Sequence, residues 1–274
     1  MYENFIKNNS QNVKVSFYSR YLGKDMKSLV YLPKGYQEGI RYSVLYLLHG
    51  FSGNSNTLLV NHGLDEILDR LINDGIINPL IVVAPYYEGS YGINSSSVSR
   101  IWHQREDGSN KRYEGQYEDY LAKELIEYIE RNFSTNRSRF GRFIGGWSMG
   151  GFAAFHIAFR NPELYSKVGG MAAGLQRPET NRLLYNWLYP DEESRSNRDP
   201  LKLAQYKDLS ELEIYINCGT DDAFLNANKE LSQILETFSY KVQFLSNSGG
   251  HTAKYIQENL ENFTLFFGAE SKSK

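Results

Sequence analysis

Gly146-Trp147-Ser148-Met149-Gly150 places a serine between two glycines in the pattern G-x-S-x-G. A strand-like run, RFGRFIG, precedes it, and a run of small and apolar residues, GGFAAFHIAF, follows it. In that setting the pentapeptide describes a sharp turn from strand to helix. Its glycines let the two backbones pass closely, and Ser148 Oγ stands clear of the sheet at a helix N-terminus. A hydroxyl becomes a useful nucleophile only when a base takes its proton. Of the five histidines (His49, His62, His103, His156 and His251), His251 is the one placed for this work. It follows Gly249-Gly250 in the loop after the last predicted strand. His156 lies eight residues past the serine, on the helix, and is expected to point into packing or away from the site. His49 ends a strand and supports its turn, and surface roles are expected for His62 and His103. An acid is needed to orient the imidazole and stabilise its cation. Asp221 and Asp222, in the loop N-C-G-T-D-D-A, both qualify, and one of them could equally be a turn or capping residue. The order Ser148, Asp221 or Asp222, His251 is the chain order of an α/β-hydrolase triad. A tetrahedral oxyanion needs preorganised donors. The backbone N–H of Met149 is one, and the Gly-rich turn Leu48-His49-Gly50-Phe51-Ser52-Gly53 offers the other at Phe51.

These residues must be carried by elements that bring their loops together. Val13, Val15 and Phe17 alternate with polar residues, as in a half-buried strand. Strands are also expected at Ser28–Leu32, Tyr42–Leu48, Leu80–Ala84, Arg139–Gly145, Val168–Ala172, Glu213–Asn217 and Lys241–Leu245. Helical spacing links Leu64 to Ile72, Leu121 to Ile129, Gly150 to Arg160, Leu231 to Phe238 and Ile256 to Phe263. Strands alternating with helices imply crossover units. The expected fold is α/β: an α/β-hydrolase with about eight strands, mostly parallel, and helices on both faces. The first two strands have no helix between them and predict an antiparallel hairpin at one edge. In such a sheet the loops at the carboxyl ends of the strands share one rim, which lets residues 148, 222 and 251 meet.

The whole chain, 1–274, is expected to be one domain with lid or insertion segments near 86–116 and 174–210. Both break the rhythm of elements and both are rich in aromatics. Trp147, Tyr91 and Trp102 are the candidate substrate-binding side chains, with Tyr86 and Tyr87 nearby. Tyr is also abundant throughout, at 21 residues, so some of these rings are expected to pack instead.

Composition narrows the alternatives. Of 274 residues 41% are hydrophobic and 23% charged, an ordinary globular balance, and the formal charge of −2 argues against a nucleic-acid binder. Apolar runs are too short to span a bilayer, and no signal-like segment opens the sequence, so a cytoplasmic protein without membrane partners is expected. A single cysteine, Cys218, excludes an internal disulfide and a Cys-based zinc site. No metal and no cofactor is expected. The expected partner is a small-molecule or carbohydrate-linked ester, with homo-oligomers an open possibility.

YLLHGFSGN, the elbow GGWSMGGFAAFHIAFRNPELYSKV, INCGTDDAFLNANKEL and GGHTAKYIQENLENF together resemble the esterase D / feruloyl esterase branch of the α/β-hydrolases, from about Val13 to Phe267. The branch includes S-formylglutathione hydrolases, short-chain acyl and cinnamoyl esterases, enterochelin-type esterases and mycolyltransferases. The resemblance implies Ser148 as nucleophile, His251 as base and, from the family pattern G-x-x-D, Asp222 as acid. Phe51 and Met149 fall on the oxyanion donors. Phe51–Asn54 lacks the cysteine-containing loop of the formylglutathione hydrolases, which counts against that thioester as substrate. What is implied is a serine esterase for a feruloyl, cinnamoyl or short-chain acyl ester. An acyltransferase with the same triad, or a siderophore esterase, is the alternative. A non-catalytic scaffold would predict a broken triad.

Overall fold

A computed structural model describes residues 9–95 and 115–269, together with the backbone of 103–104 and 110–111. Eight strands form the central sheet: β1 (Gln11–Ser19), β2 (Lys24–Leu32), β3 (Ser43–Leu48), β4 (Leu80–Pro85), β5 (Arg142–Trp147), β6 (Lys167–Met171), β7 (Glu213–Asn217) and β8 (Lys241–Leu245). Their order is β1-β2-β4-β3-β5-β6-β7-β8. β1 pairs antiparallel with β2, and β2 with β4; all remaining pairs are parallel. The edge hairpin and the mixed sheet are as the alternation of elements predicts. One strand starts later than expected. Arg139–Gly141 is a single 3₁₀ turn, and β5 runs from Arg142 to Trp147.

The strand interiors show why both faces carry helices. In β3, Val44, Tyr46 and Leu48 enter one core cluster while Leu45 and Leu47 enter the other. A strand that is apolar at successive residues must be covered on both sides. One cover consists of α1 (Leu64–Asn73) and the C-terminal helix Ala253–Gly268, through Leu68, Leu71, Leu260 and Phe263. On the other side lie Leu125–Asn132, the elbow helix Met149–Arg160 and Leu225–Thr237, through Leu125, Phe152, Phe155 and Leu231.

Residues 174–210 are more ordered than a loop and contain three short helices, Arg182–Leu188, Glu192–Arg198 and Pro200–Tyr206. Asn181, Asp191 and Asp199 cap them by accepting from Leu184, Ser194 and Leu201 N–H groups. Trp187, Leu188, Tyr189 and Leu201 are buried, so this segment completes the core. Buried polar contacts fasten it to the elbow helix. Glu118 accepts from Arg160 at 2.7 Å and lies 3.2 Å from His156 Nε2, and His156 Nδ1 lies 3.0 Å from the Arg198 carbonyl. Within 86–116, Asn94–Ser95 pairs with Gly115–Gln116, and His103–Gln104 with Asn110–Lys111. Among the described residues no helix is long and apolar enough to cross a membrane.

Candidate active site

Ser148 sits between β5 and the elbow helix at φ 56°, ψ −116°, a strained conformation for a residue with a side chain. Three backbone hydrogen bonds hold it there. Its N–H donates to Met171 O at 2.9 Å, and its carbonyl accepts from Phe152 N at 3.0 Å and Gly174 N at 2.8 Å. The flanking glycines are dictated by the end of β3, which passes directly beneath. A Cβ on Gly150 would fall 2.0 Å from Leu48 O, and one on Gly146 2.4 Å from the same atom.

His251 and Asp222 come from the loops after β8 and β7, and those loops interlock. Thr220 N–H donates to Asn247 O, and Asp221 N–H to Gly249 O, both at 2.9 Å. His251 Nδ1 lies 2.8 Å from Asp222 Oδ2, and its Nε2 lies 2.8 Å from Ser148 Oγ. A carboxylate can only accept, so the Nδ1 proton points at Asp222 and Nε2 is left to accept from the hydroxyl. The other Asp222 oxygen accepts from Phe224 N–H at 2.9 Å. The Asp222 side chain is fully buried while the imidazole is one-third exposed, so solvent reaches the ring and not the carboxylate. Asp221 is exposed and supplies only its backbone to this join.

The ring of His251 is also held from the sides. Trp147 stacks on it at 4.4 Å between centroids, and Phe224 meets it edge-on at 5.3 Å. Trp147, expected to bind substrate, is 7% exposed and packs against the imidazole. Tyr91 lies in the core, edge-on to Phe152 and Trp187 at 5.6 and 6.2 Å, and does not line an open cleft. Trp102 lies outside the described residues. Phe224 was not singled out from the sequence; its place two residues past Asp222 was the available signal.

The oxyanion candidates border the serine. Met149 is the first residue of the elbow helix, where N–H groups have no partner in a preceding turn. Gly50 packs so tightly on the elbow that a Cβ there would lie 2.7 Å from Trp147 Cδ1 and 3.6 Å from Ser148 Cβ, which puts the adjoining Phe51 peptide beside the serine. Gly53 N–H closes this turn on Gly50 O at 3.0 Å, with Ser52 at φ 60°. His49 stiffens the turn from below. Its Nδ1 lies 2.8 Å from Gly50 O, and burial lowers its pKa from 6.5 to about 4, so the ring is neutral at physiological pH. Among the described residues, no group of three or more His, Cys, Asp or Glu side chains is placed to hold a metal ion.

This sheet, with its strand order and its elbow between β5 and the following helix, defines an α/β-hydrolase. The family described as "Putative esterase" matches residues 19–262, and the chain belongs to it, a family of carboxylic ester hydrolases. Over 242 residues it is 30% identical to an endo-1,4-beta-xylanase/feruloyl esterase of Xylanibacter ruminicola, covering 86% of this chain but only 28% of that much longer protein. An acetyl esterase of Caldicellulosiruptor saccharolyticus is 25% identical over 91% of this chain and 95% of its own length. A ferulic acid esterase of known structure superposes with a TM-score of 0.78 at 25% identity, covering 95% of this chain and 98% of that one.

Proposed function

We propose that this protein is a serine esterase that cleaves an acyl ester through a covalent acyl-enzyme, with Ser148 as nucleophile, His251 as general base and acid, and Asp222 as the orienting acid. The observation that carries the reading is the unbroken chain of two 2.8 Å contacts from Asp222 through His251 to Ser148 Oγ. His251 Nε2 accepts the serine proton as Oγ attacks the ester carbonyl, and the buried Asp222 carboxylate stabilises the resulting imidazolium. The amides of Phe51 and Met149 donate to the oxyanion. Collapse passes the proton from Nε2 to the leaving alkoxide, and water repeats the sequence to release the acid.

The substrate class we propose is an acetyl or feruloyl ester of a carbohydrate. The names of the xylanase/feruloyl esterase, acetyl esterase and ferulic acid esterase relatives support it. So does one aromatic side chain at the site, Phe224, partly exposed beside the imidazole.

The test is a panel of nitrophenyl acyl esters with methyl ferulate, run on wild type and Ser148→Ala in parallel. Turnover should fall by about 10⁴-fold or more in the variant, at an unchanged thermal midpoint. A fluorophosphonate probe should label wild type at Ser148 only. Wild-type turnover by Ser148→Ala would refute the assignment.

A further inference from the structure

Each amide assigned to the oxyanion shares a peptide unit with a carbonyl: Phe51 N–H with Gly50 O, and Met149 N–H with Ser148 O. A trans peptide is planar, with its N–H and C=O pointing in opposite directions, so whatever holds the oxygen also aims the hydrogen. Both oxygens are held twice. Ser148 O accepts from Phe152 N–H at 3.0 Å and from Gly174 N–H at 2.8 Å. Gly50 O accepts from Gly53 N–H at 3.0 Å and lies 2.8 Å from His49 Nδ1. In each pair the first donor is local, the next turn of a helix or the close of a tight turn. The second is additional. For Ser148 O it is backbone from the loop after β6, and for Gly50 O it is a side chain.

The His49 contact is fixed in sense and in place. Gly50 O can only accept, so Nδ1 carries the proton and donates it. The ring is 2% exposed and lies 4.5 Å from the Tyr87 ring and 5.8 Å from the Tyr86 ring between centroids. The Tyr87 hydroxyl also donates to His49 O at 2.6 Å. His49 Nε2 is buried and has no hydrogen-bond partner among the described residues. A ring that only filled this space could be apolar and would avoid the cost of burying an unpaired nitrogen. The polar function of the side chain is therefore the bond from Nδ1. Donation to a carbonyl polarises its peptide unit and strengthens the N–H at the far end, the more so where water is excluded.

We propose that His49 is a positioning residue for catalysis: through the Gly50 carbonyl, its Nδ1–H aims and strengthens the Phe51 N–H as an oxyanion donor. His49 itself does not touch the substrate. The inference rests on the esterase reading above, with its assignment of the Phe51 amide, and gives a buried side chain outside the triad a share in stabilising the transition state.

The test compares His49→Asn with His49→Leu. The two new side chains have nearly the same shape, and asparagine places an amide nitrogen as many bonds from the backbone as Nδ1. The pair leaves the same space and differs in one donor. In p-nitrophenyl acetate hydrolysis, kcat of His49→Leu should be about 30-fold below that of His49→Asn, less than the roughly 10²–10³-fold lost when an oxyanion donor is removed outright. Their KM values should agree within about twofold, because the missing interaction is made only in the transition state. Affinity for a trifluoromethyl ketone, whose hemiketal with Ser148 carries a negative oxygen, should fall by the same factor as kcat. Equal kcat in the two variants, or a loss in His49→Leu that is taken up as a higher KM, would reduce His49 to packing under the turn and overturn the proposal. Should His49→Leu fail to fold, His49→Gln and His49→Met make the same comparison with unbranched side chains. Absence of p-nitrophenyl acetate hydrolysis in wild type would strike the esterase reading itself, which keeps the two failures apart.

Discussion

Asp222 does two jobs with its two oxygens, and that sets what an isosteric change would do. Oδ2 faces His251 Nδ1 while Oδ1 accepts from Phe224 N–H. An asparagine has only one oxygen. If it serves the Phe224 amide, the NH₂ faces Nδ1 and forces the proton onto Nε2, where the ring can no longer accept from Ser148. Asp222→Asn should therefore fold normally and lose about 10⁴-fold in kcat on p-nitrophenyl acetate, the scale known for such a tautomer error in a serine protease. A loss under tenfold would mean that the carboxylate does not set the tautomer. The same pair of contacts explains what the sequence left open. Adjacent aspartates in one loop are indistinguishable by type or spacing, and only the interlock with the loop after β8 turns Asp222 inward and leaves Asp221 in solvent. Trp147 raised a related question: its proximity in sequence to Ser148 does not say how its ring is turned, and the structure stacks it on the imidazole.

At the level of elements, the elbow turns an ordinary propensity rule around. Glycine at an exposed position inside a helix usually costs about 1 kcal/mol relative to alanine. At Gly150 the added methyl would meet Leu48 O at 2.0 Å, against backbone of a central strand that has no room to shift. Gly150→Ala should be destabilising by about 3 kcal/mol or more, seen as a lower urea midpoint or as insoluble protein. A gain in stability would show that β3 and the elbow helix are less tightly joined than their contacts indicate. Elements of this kind were legible because their signals are long. Glu213–Asn217 and Lys241–Leu245 have the bounds expected of them, and the elbow helix begins one residue early. The helices within 174–210 escaped notice because seven residues, barely two turns, carry too few apolar positions to show a period. Their caps were nonetheless written in the sequence, as Asn181, Asp191 and Asp199-Pro200.

For the whole molecule, the alternation of strand and helix identified the sheet and its rim, while long-range burial of polar groups had no sequence signature. That burial makes stability depend on pH in a definite direction. His49 is buried with no carboxylate partner among the described residues, and burial puts its pKa at about 4 instead of 6.5. The unfolded chain takes up this proton first. Stability is thus complete above pH 6.5 and declines as pH falls towards 4, by up to about 3 kcal/mol from this group. Glu118 adds a second loss further down. Burial alone would raise its pKa, but His156 and Arg160 outweigh that and hold it at about 2 against an ordinary 4.5, so its contribution is present above pH 4.5 and fades as pH falls to 2. Urea midpoints should accordingly fall between pH 7 and 4.5 and fall again below 4.5. His49→Gln should flatten the first decline, since a neutral amide can still donate to Gly50 O, and Glu118→Gln should flatten the second. A wild-type midpoint that stays level from pH 7 to 4.5 would show that the His49 proton is not excluded by the fold, and with it that the turn bearing the Phe51 amide is open to water from beneath.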